Sequence, residues 1–199
     1  MIDPAGPAAR GIATLWWVML GGATLIYVAV MALLVLAFRD RTGPTSERIW
    51  LWGLGLGFPG VVLAALLIYG LAIGEILLPR AGPDTVRVTA SAAQWHWTFT
   101  YADAPERQTR DVLHLPAGRP VDVAIVTTDV IHSFWVPRLA GKLDAIPGHV
   151  NVLRIEADAP GTFQGLSSEY SGPGYLGHRF TVVAHDAEGW TRFLDGGVP

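Results

Sequence analysis

Two long stretches of this chain carry no charged side chain, and beyond them the hydrophobic pattern changes its period. Residues 11–38 form the first uncharged run and residues 49–74 the second. A helix rises 1.5 Å per residue, so each run reaches about 40 Å, enough to cross a hydrocarbon core with some tilt. Between them lies a polar segment, residues 39–48, in which Gly43-Pro44 breaks the chain and Thr45 or Ser46 caps the helix that follows. The pattern predicts a helical hairpin in a membrane, kinked at Pro59, where the second helix loses a backbone donor. The connecting loop holds Arg39, Arg41 and Arg48, whereas the preceding tail has Arg10 alone, offset by Asp3. Positive charge favours the cytoplasmic side, which puts the loop inside and both chain ends outside. The first run is too long for the apolar core of a secretory signal and is read as a retained helix.

Residues 79–84 are a Pro/Gly boundary, and after it apolar side chains recur at every second position. Val86, Val88 and Ala90 alternate with Arg87 and Thr89. Trp95, Trp97, Phe99 and Tyr101 then fall on one face of a strand, with Gln94, His96, Thr98 and Thr100 on the other. Further strand-like runs cover 112–115, 121–127, 132–136, 150–156, 161–166 and 180–184. Turns punctuate them at Pro116-Ala117-Gly118, Ile146-Pro147-Gly148, Ala159-Pro160-Gly161 and Gly172-Pro173-Gly174. Short strands at this spacing predict an all-β sandwich or Greek-key barrel, with 188–195 as a short closing helix. The organisation is then a tail (1–10), a two-helix transmembrane hairpin (11–78), a linker (79–85) and a β domain (86–199).

Composition narrows the function classes. Of the 199 residues 51% are hydrophobic and 16% charged, which excludes a disordered or nucleic-acid-binding chain. The net charge of -3 implies no partner recruited by long-range electrostatics. The absence of cysteine removes disulfides, zinc-thiolate sites and a lipidated cysteine. Eight tryptophans suit membrane interfaces and docking surfaces.

The chemistry concentrates in the segment running from Gly165 to His178, Gly-Leu-Ser-Ser-Glu-Tyr-Ser-Gly-Pro-Gly-Tyr-Leu-Gly-His. Around it stand Gln94-Trp95-His96-Trp97, Asp129-Val130-Ile131-His132-Ser133-Phe134 followed by Val136-Pro137, Lys142-Leu143-Asp144-Ala145-Ile146-Pro147-Gly148, and Pro160-Gly161-Thr162-Phe163. In this order, behind a helical hairpin, the motifs resemble subunit II of the heme-copper oxidases over nearly the whole chain. The resemblance implies a cupredoxin-like Greek-key β domain on a two-helix membrane anchor. In cytochrome c oxidases the copper loop reads Cys-Ser-Glu-x-Cys-Gly-x-x-His-x-x-Met. Laid on this chain, Ser167 and Ser171 stand at the cysteine positions, Tyr175 at the histidine and His178 at the methionine. His132 and Glu169 keep theirs; the family's contact from the glutamate is a backbone carbonyl. A mixed-valence copper pair wants sulfur, imidazole and a weak thioether, and a serine hydroxyl stays protonated near neutral pH. No copper A centre is expected. The loop resembles that of the ubiquinol-oxidising, cytochrome bo-type members, although Asp144 to Gly148 and Glu169 look more like the copper-bearing branch.

What the resemblance implies is a non-redox subunit II of a proton-pumping quinol oxidase that reduces dioxygen to water. No catalytic residue lies in this chain, which binds no cofactor alone; hemes and copper reside in subunit I. Subunit I, subunit III, the lipid bilayer and a quinol donor are the implied partners. The implied location is a bacterial inner (plasma) membrane, multi-pass, with the β domain on the periplasmic or outer side. Glu47, three residues before Trp50, resembles a carboxylate at the entrance of a proton path into subunit I; the alternative is a first-turn acid favoured by the helix dipole. Glu169 either shares Mg or Mn with subunit I or pairs with a basic group or backbone amides. His132 and His178 either keep a weak Cu(II) or Zn(II) site or are hydrogen-bonded remnants, and the remnant reading is favoured because two loop ligands rarely suffice. His96, His114, His149 and His185 show no ligand spacing. Trp95 is read as an aromatic packing the β domain on subunit I, and Asp129 and Asp144 as residues that order polar loops. Three rivals stand: a cytochrome c donor to the same complex, a nitric-oxide-reducing relative, and a stand-alone membrane-anchored copper-binding cupredoxin.

Overall fold

The computed structural model of the chain describes residues 3–39, 46–77, 82 and 84–197. The Gly43-Pro44 break, Thr45 as a cap and most of the 79–85 linker lie outside the described residues. The chain divides into two compact units, Thr14–Ile76 and the combination of Met1–Ala13 with Leu77–Pro199.

The first unit is helical. Helix α1 spans Pro7–Ala37, beginning four residues before the uncharged run with a proline whose fixed φ suits a first helical position. The second helix starts as a π-helical stretch, Ile49–Gly57, and continues as α2, Phe58–Leu77. The Phe58 N–H bonds to the carbonyl of Gly53, five residues back. The register tightens to α next to Pro59, whose nitrogen cannot donate. Beside Pro59, where the sequence predicts a kink, the structure shows a change of hydrogen-bond register from π to α. Pro7–Ala37 and Ile49–Gly74 are long and apolar enough to cross a membrane, and none of their most apolar surface is buried. At about 25 cal/mol per Å² such surface is costly to leave in water, and a bilayer removes that cost.

The second unit is a sandwich of two five-stranded sheets. One sheet runs β3 (Ala104–Arg110), β2 (His96–Tyr101), β1 (Val86–Ala93), β5 (Val121–Thr127), β8 (Asn151–Ile155). The other runs β4 (Val112–Pro116), β10 (Arg179–His185), β9 (Gly161–Ser167), β6 (His132–Trp135), β7 (Lys142–Ala145). Pairing is antiparallel except between β1 and β5 and between β10 and β4. Alternation drives the packing: Trp97, Phe99 and Tyr101 of β2 face inward against Phe134, Phe180 and Val182 from the opposite sheet. Helix α3, Ala187–Leu194, capped by the Asp186 carboxylate on the Gly189 N–H at 2.7 Å, closes one end with Trp190 and Phe193.

Three features depart from the sequence reading. Trp95 is exposed in the turn before β2 and does not share the buried face of Trp97, because the strand begins one residue later. Strands β3 and β7 escape an alternation test: β3 is an edge strand of mostly exposed polar residues, and β7 is only four residues long. The N-terminal residues are built into the β unit. Asp158 donates its N–H to the Ala5 carbonyl at 2.9 Å, and Ala5 donates to the Arg138 carbonyl at 2.8 Å. Asp3 pairs with Arg138 at 2.7 Å, and Arg10 pairs with Asp158. Gly6 lies so close to the Glu156 carbonyl that a Cβ there would stand 2.1 Å from its oxygen.

His114 and His185, which carried no signal in the sequence, form a pair across β4 and β10, with Nδ1 of one 2.8 Å from Nε2 of the other. Phe193 stacks on both rings, and the Arg107 guanidinium lies 4.8 Å from the Phe193 ring centre. Burial, then the neighbouring His185 and Arg107, depress His114 to about 4; burial also lowers His185, against the pull of Asp186. A histidine depressed in the fold takes up its proton more readily when unfolded. Stability is then full above pH 6.5 and declines as pH falls from 6.5 towards about 4, by about 1.4 kcal/mol per unit of depression. In acid unfolding of the detergent-solubilised chain, His114→Phe is expected to flatten that limb; an unchanged slope contradicts the assignment.

Candidate functional site

The loop between β9 and β10 is closed at its base by the Ser167 N–H donating to the His178 carbonyl at 2.9 Å. Its two ends thus remain a strand pair, and the residues between bulge out and turn back through a short 3₁₀ turn, Tyr175–Gly177. Gly172 and Gly174 carry positive φ of 116° and 105°, where a side chain is strained. Both lie against the Trp95 ring: a Cβ at Gly172 would stand 3.4 Å from it and one at Gly174 3.5 Å. Gln94 donates its side-chain amide to the Ser171 carbonyl at 2.6 Å, and Ser168 donates its N–H to the Ser133 carbonyl at 3.0 Å. The turn before β2 and strand β6 therefore hold the loop from two sides.

Under the loop the side chains of His132, Ser133, Ser167, Ser171 and His178 are buried together. The His132 and His178 rings meet edge to face with centroids 5.0 Å apart. Trp97 stacks on His178 at 5.5 Å, and Trp95 meets it edge-on at 6.0 Å. His132 Nε2 donates to the Asp129 carboxylate at 2.8 Å. That carboxylate also accepts from the Gln94 N–H at 2.7 Å and the Val130 N–H at 2.6 Å. Partial burial pushes Asp129 up, but these bonds and one from Thr127 outweigh it and hold the carboxyl down at about 2. His178 is driven towards its neutral form, first by burial and then by His132; the nearby His96 backbone and the Asp111 carboxylate oppose this.

Polar satisfaction is incomplete in this place. His132 Nδ1, the hydroxyls of Ser133 and Ser171, and Trp97 Nε1 are buried with no hydrogen-bond partner, and the buried His178 ring meets only the His96 backbone as a polar partner. Among the described residues every such orphaned side-chain atom belongs to this neighbourhood. The Ser167 hydroxyl accepts from the Ser133 N–H at 3.3 Å.

A bridged copper pair does not fit these residues. At neutral pH the site offers protonated hydroxyls at both bridging positions, and Tyr175 packs its ring edge-on against Tyr170 at 5.3 Å. Among the described residues no three His, Asp or Glu side chains come together as a metal-ligand set. Glu169 is outside the buried group, half-exposed and paired with Lys142 at 3.3 Å. Glu47 is exposed and belongs to the helical unit. Gln94 enters the sequence reading only as part of the Gln94-Trp95-His96-Trp97 motif, and Asp111 does not enter it at all. Asp111 adopts a left-handed φ of 56° between β3 and β4 and clamps Trp97, accepting from its N–H at 2.7 Å while donating to its carbonyl at 2.8 Å. An Asp interrupting a polar strand pair is a weak turn signal, and nothing in the sequence links it to Trp97.

Residues 106–184 match the family described as Cytochrome C oxidase subunit II, periplasmic domain. The chain is 28% identical to Cytochrome c oxidase subunit 2 of Alkalihalophilus pseudofirmus, over 98% of this chain and 61% of that protein. It is 23% identical to Quinol oxidase subunit 2 of Bacillus cereus, over 98% of this chain and 71% of that protein. The chain is thus similar to subunit II of cytochrome c and quinol oxidases. The β unit shares its fold with the crystal structure of the periplasmic domain of subunit II of cytochrome oxidase (CoxB) of Bradyrhizobium japonicum, with a TM-score of 0.52 and 21% identity over 59% of this chain and 95% of that one. The fold is thus the cupredoxin-like sandwich of subunit II, preceded by two apolar helices. This chain spans about three fifths of the length of the Alkalihalophilus relative.

Because Gly172 and Gly174 are fitted to Trp95, Gly172→Ala is expected to push against the Gln94 amide, which its Cβ would meet at 3.1 Å. The cost is roughly 1–3 kcal/mol of stability, read as a lower thermal midpoint with a shift in tryptophan emission. A variant as stable as the parent would show that the loop does not depend on this packing.

Proposed function

We propose that this chain is the copper-less subunit II of a quinol-oxidising, proton-pumping terminal oxidase that reduces dioxygen to water. The observation that carries the reading is the buried pocket in which hydroxyls stand at both bridging positions of the family's copper loop while the surrounding cupredoxin frame is intact. Without thiolates the β unit holds no one-electron relay, and a tryptophan such as Trp95 does not replace one at ordinary potentials. Electrons then enter subunit I directly from quinol in the bilayer. This chain's part is mechanical and electrostatic: the helices pack on subunit I, with subunit III completing the complex, and the β unit caps its outer face.

Topology supports this. Residues 3–10 hydrogen-bond into the β unit, so the start of α1 and the β unit lie on one side of the bilayer. Together with three arginines in the connecting loop, this favours a multi-pass protein of a bacterial plasma membrane with an outer β unit. Glu47, exposed in the first turn of the second helix on the inner side, is proposed to collect protons for subunit I. Glu169 is proposed to exchange Lys142 for a hard cation, Mg or Mn, where subunit I supplies the remaining ligands.

One observation favours a second reading, direct electron entry from a cytochrome c: the Alkalihalophilus relative is a cytochrome c oxidase subunit. The purified complex is expected to turn over quinol and to leave reduced cytochrome c unoxidised. Turnover with cytochrome c and none with quinol would exchange the two readings. In the same assay Glu47→Ala is expected to slow oxygen consumption by roughly tenfold, about 1.4 kcal/mol in barrier; an unchanged rate removes Glu47 from the proton route.

A further inference from the structure

Helix α3 rests on a pair of ionisable rings. At eight residues it is too short to hold together by its own hydrogen bonds, so its order comes from what it packs against. Its buried side chains are Trp190 and Phe193. Phe193 lies flat on His114, ring centres 4.4 Å apart, and stacks on His185 at 5.9 Å. Trp190 is tilted over His185 at 6.5 Å, and a Cβ on Gly189 would stand 3.3 Å from His185 Nδ1. Tyr101 meets Phe193 edge-on at 4.9 Å and Trp190 at 6.2 Å, and its hydroxyl accepts the His114 N–H at 3.0 Å. The footing of the helix is therefore the His114–His185 pair with Tyr101 beside it.

We propose that α3 is an acid-released latch, which proton uptake by the His114–His185 pair lifts from a sandwich that stays folded. A single hydrogen fills the 2.8 Å gap between His114 Nδ1 and His185 Nε2. A first proton turns one ring into a cation, and a second sets two N–H groups against each other. His114 is 5% exposed, so a charge there is hydrated only when Phe193 moves off it. The groups facing the pair do not compensate. From β3, the Arg107 guanidinium stands 4.8 Å from the Phe193 ring and repels a proton on His114. From α3, Arg192 repels one on His185, while Asp186 at the helix cap attracts it. Asp186 is exposed and already accepts the Gly189 N–H, Glu188 is exposed, and β2 contributes the neutral Tyr101 hydroxyl. The sheets are joined by Phe99 against Phe180 at 5.5 Å, a contact in which α3 has no part. Docking is full above pH 6.5, the ordinary histidine value, and weakens as pH falls towards about 4, where His114 titrates in the fold. The latch belongs to this chain alone; its setting on the acidified outer side rests on the function proposed above.

The test is hydrogen–deuterium exchange of the purified full chain in detergent between pH 6.5 and about 4.5, corrected for the intrinsic exchange rate at each pH. Each proton taken up only in the released state multiplies the released population roughly tenfold per pH unit. Protection of the α3 amides is expected to fall by roughly 10–100-fold over that range, while strands β5 and β9 keep theirs. His114→Phe, which keeps a flat ring under Phe193 and removes the proton site, is expected to lose most of that fall. His185→Gln, which keeps a hydrogen-bonding group beside His114, should reduce it too and decides the matter if His114→Phe does not fold. Protection of α3 that is independent of pH overturns the proposal. So does a fall shared equally by β5 and β9, which is global unfolding, or an undiminished fall in the folded variants.

Discussion

Two anionic sulfurs are what hold a pair of copper ions at a bridged, mixed-valence separation, and an aliphatic hydroxyl at neutral pH supplies neither the charge nor the polarisable lone pairs. Ser167 and Ser171, which the resemblance sets at the bridging positions, are both buried, and the first of them accepts a hydrogen bond from the Ser133 backbone. Under the proposed function, a cupredoxin frame that holds no relay docks, shields and orients rather than passing electrons one at a time.

The frame is held by contacts among its own side chains and backbone. Trp97 is clamped by Asp111 through both backbone groups and stacks on His178 from below. From above, the loop is fixed by Trp95 lying over two glycines and by the Gln94 amide on the Ser171 carbonyl. The core of Phe99, Phe134, Phe180 and Val182 lies beneath this and packs against the Trp97 ring. Within this frame the pocket carries a cluster of unpaired polar atoms.

Much of this was legible in the sequence, for physical reasons that differ by element. The two uncharged runs follow from bilayer thickness, and β1, β5 and β10 from strict alternation, since one buried face imposes a period of two. Strand β3 was not legible: an edge strand with a solvated face has no apolar period to show. Trp95 misled because a period-two pattern cannot tell the last turn residue from the first strand residue. The buried His114–His185 pair, the Asp111 clamp and the built-in residues 3–10 arise from contacts between positions far apart in the chain, which no local pattern encodes. At the loop, the identities of Ser167, Ser171, Tyr175 and His178 were readable one by one. That His132 and His178 share one buried pocket while Glu169 turns to Lys142 required the fold.

The central claim is tested most directly by loading copper into the full chain and into a variant carrying Ser167→Cys, Ser171→Cys, Tyr175→His and His178→Met, then recording near-infrared absorption and electron paramagnetic resonance. The account predicts the mixed-valence signature of a delocalised copper pair in the variant and none in the native chain. That signature in the native chain, at one dinuclear centre per polypeptide, would contradict it.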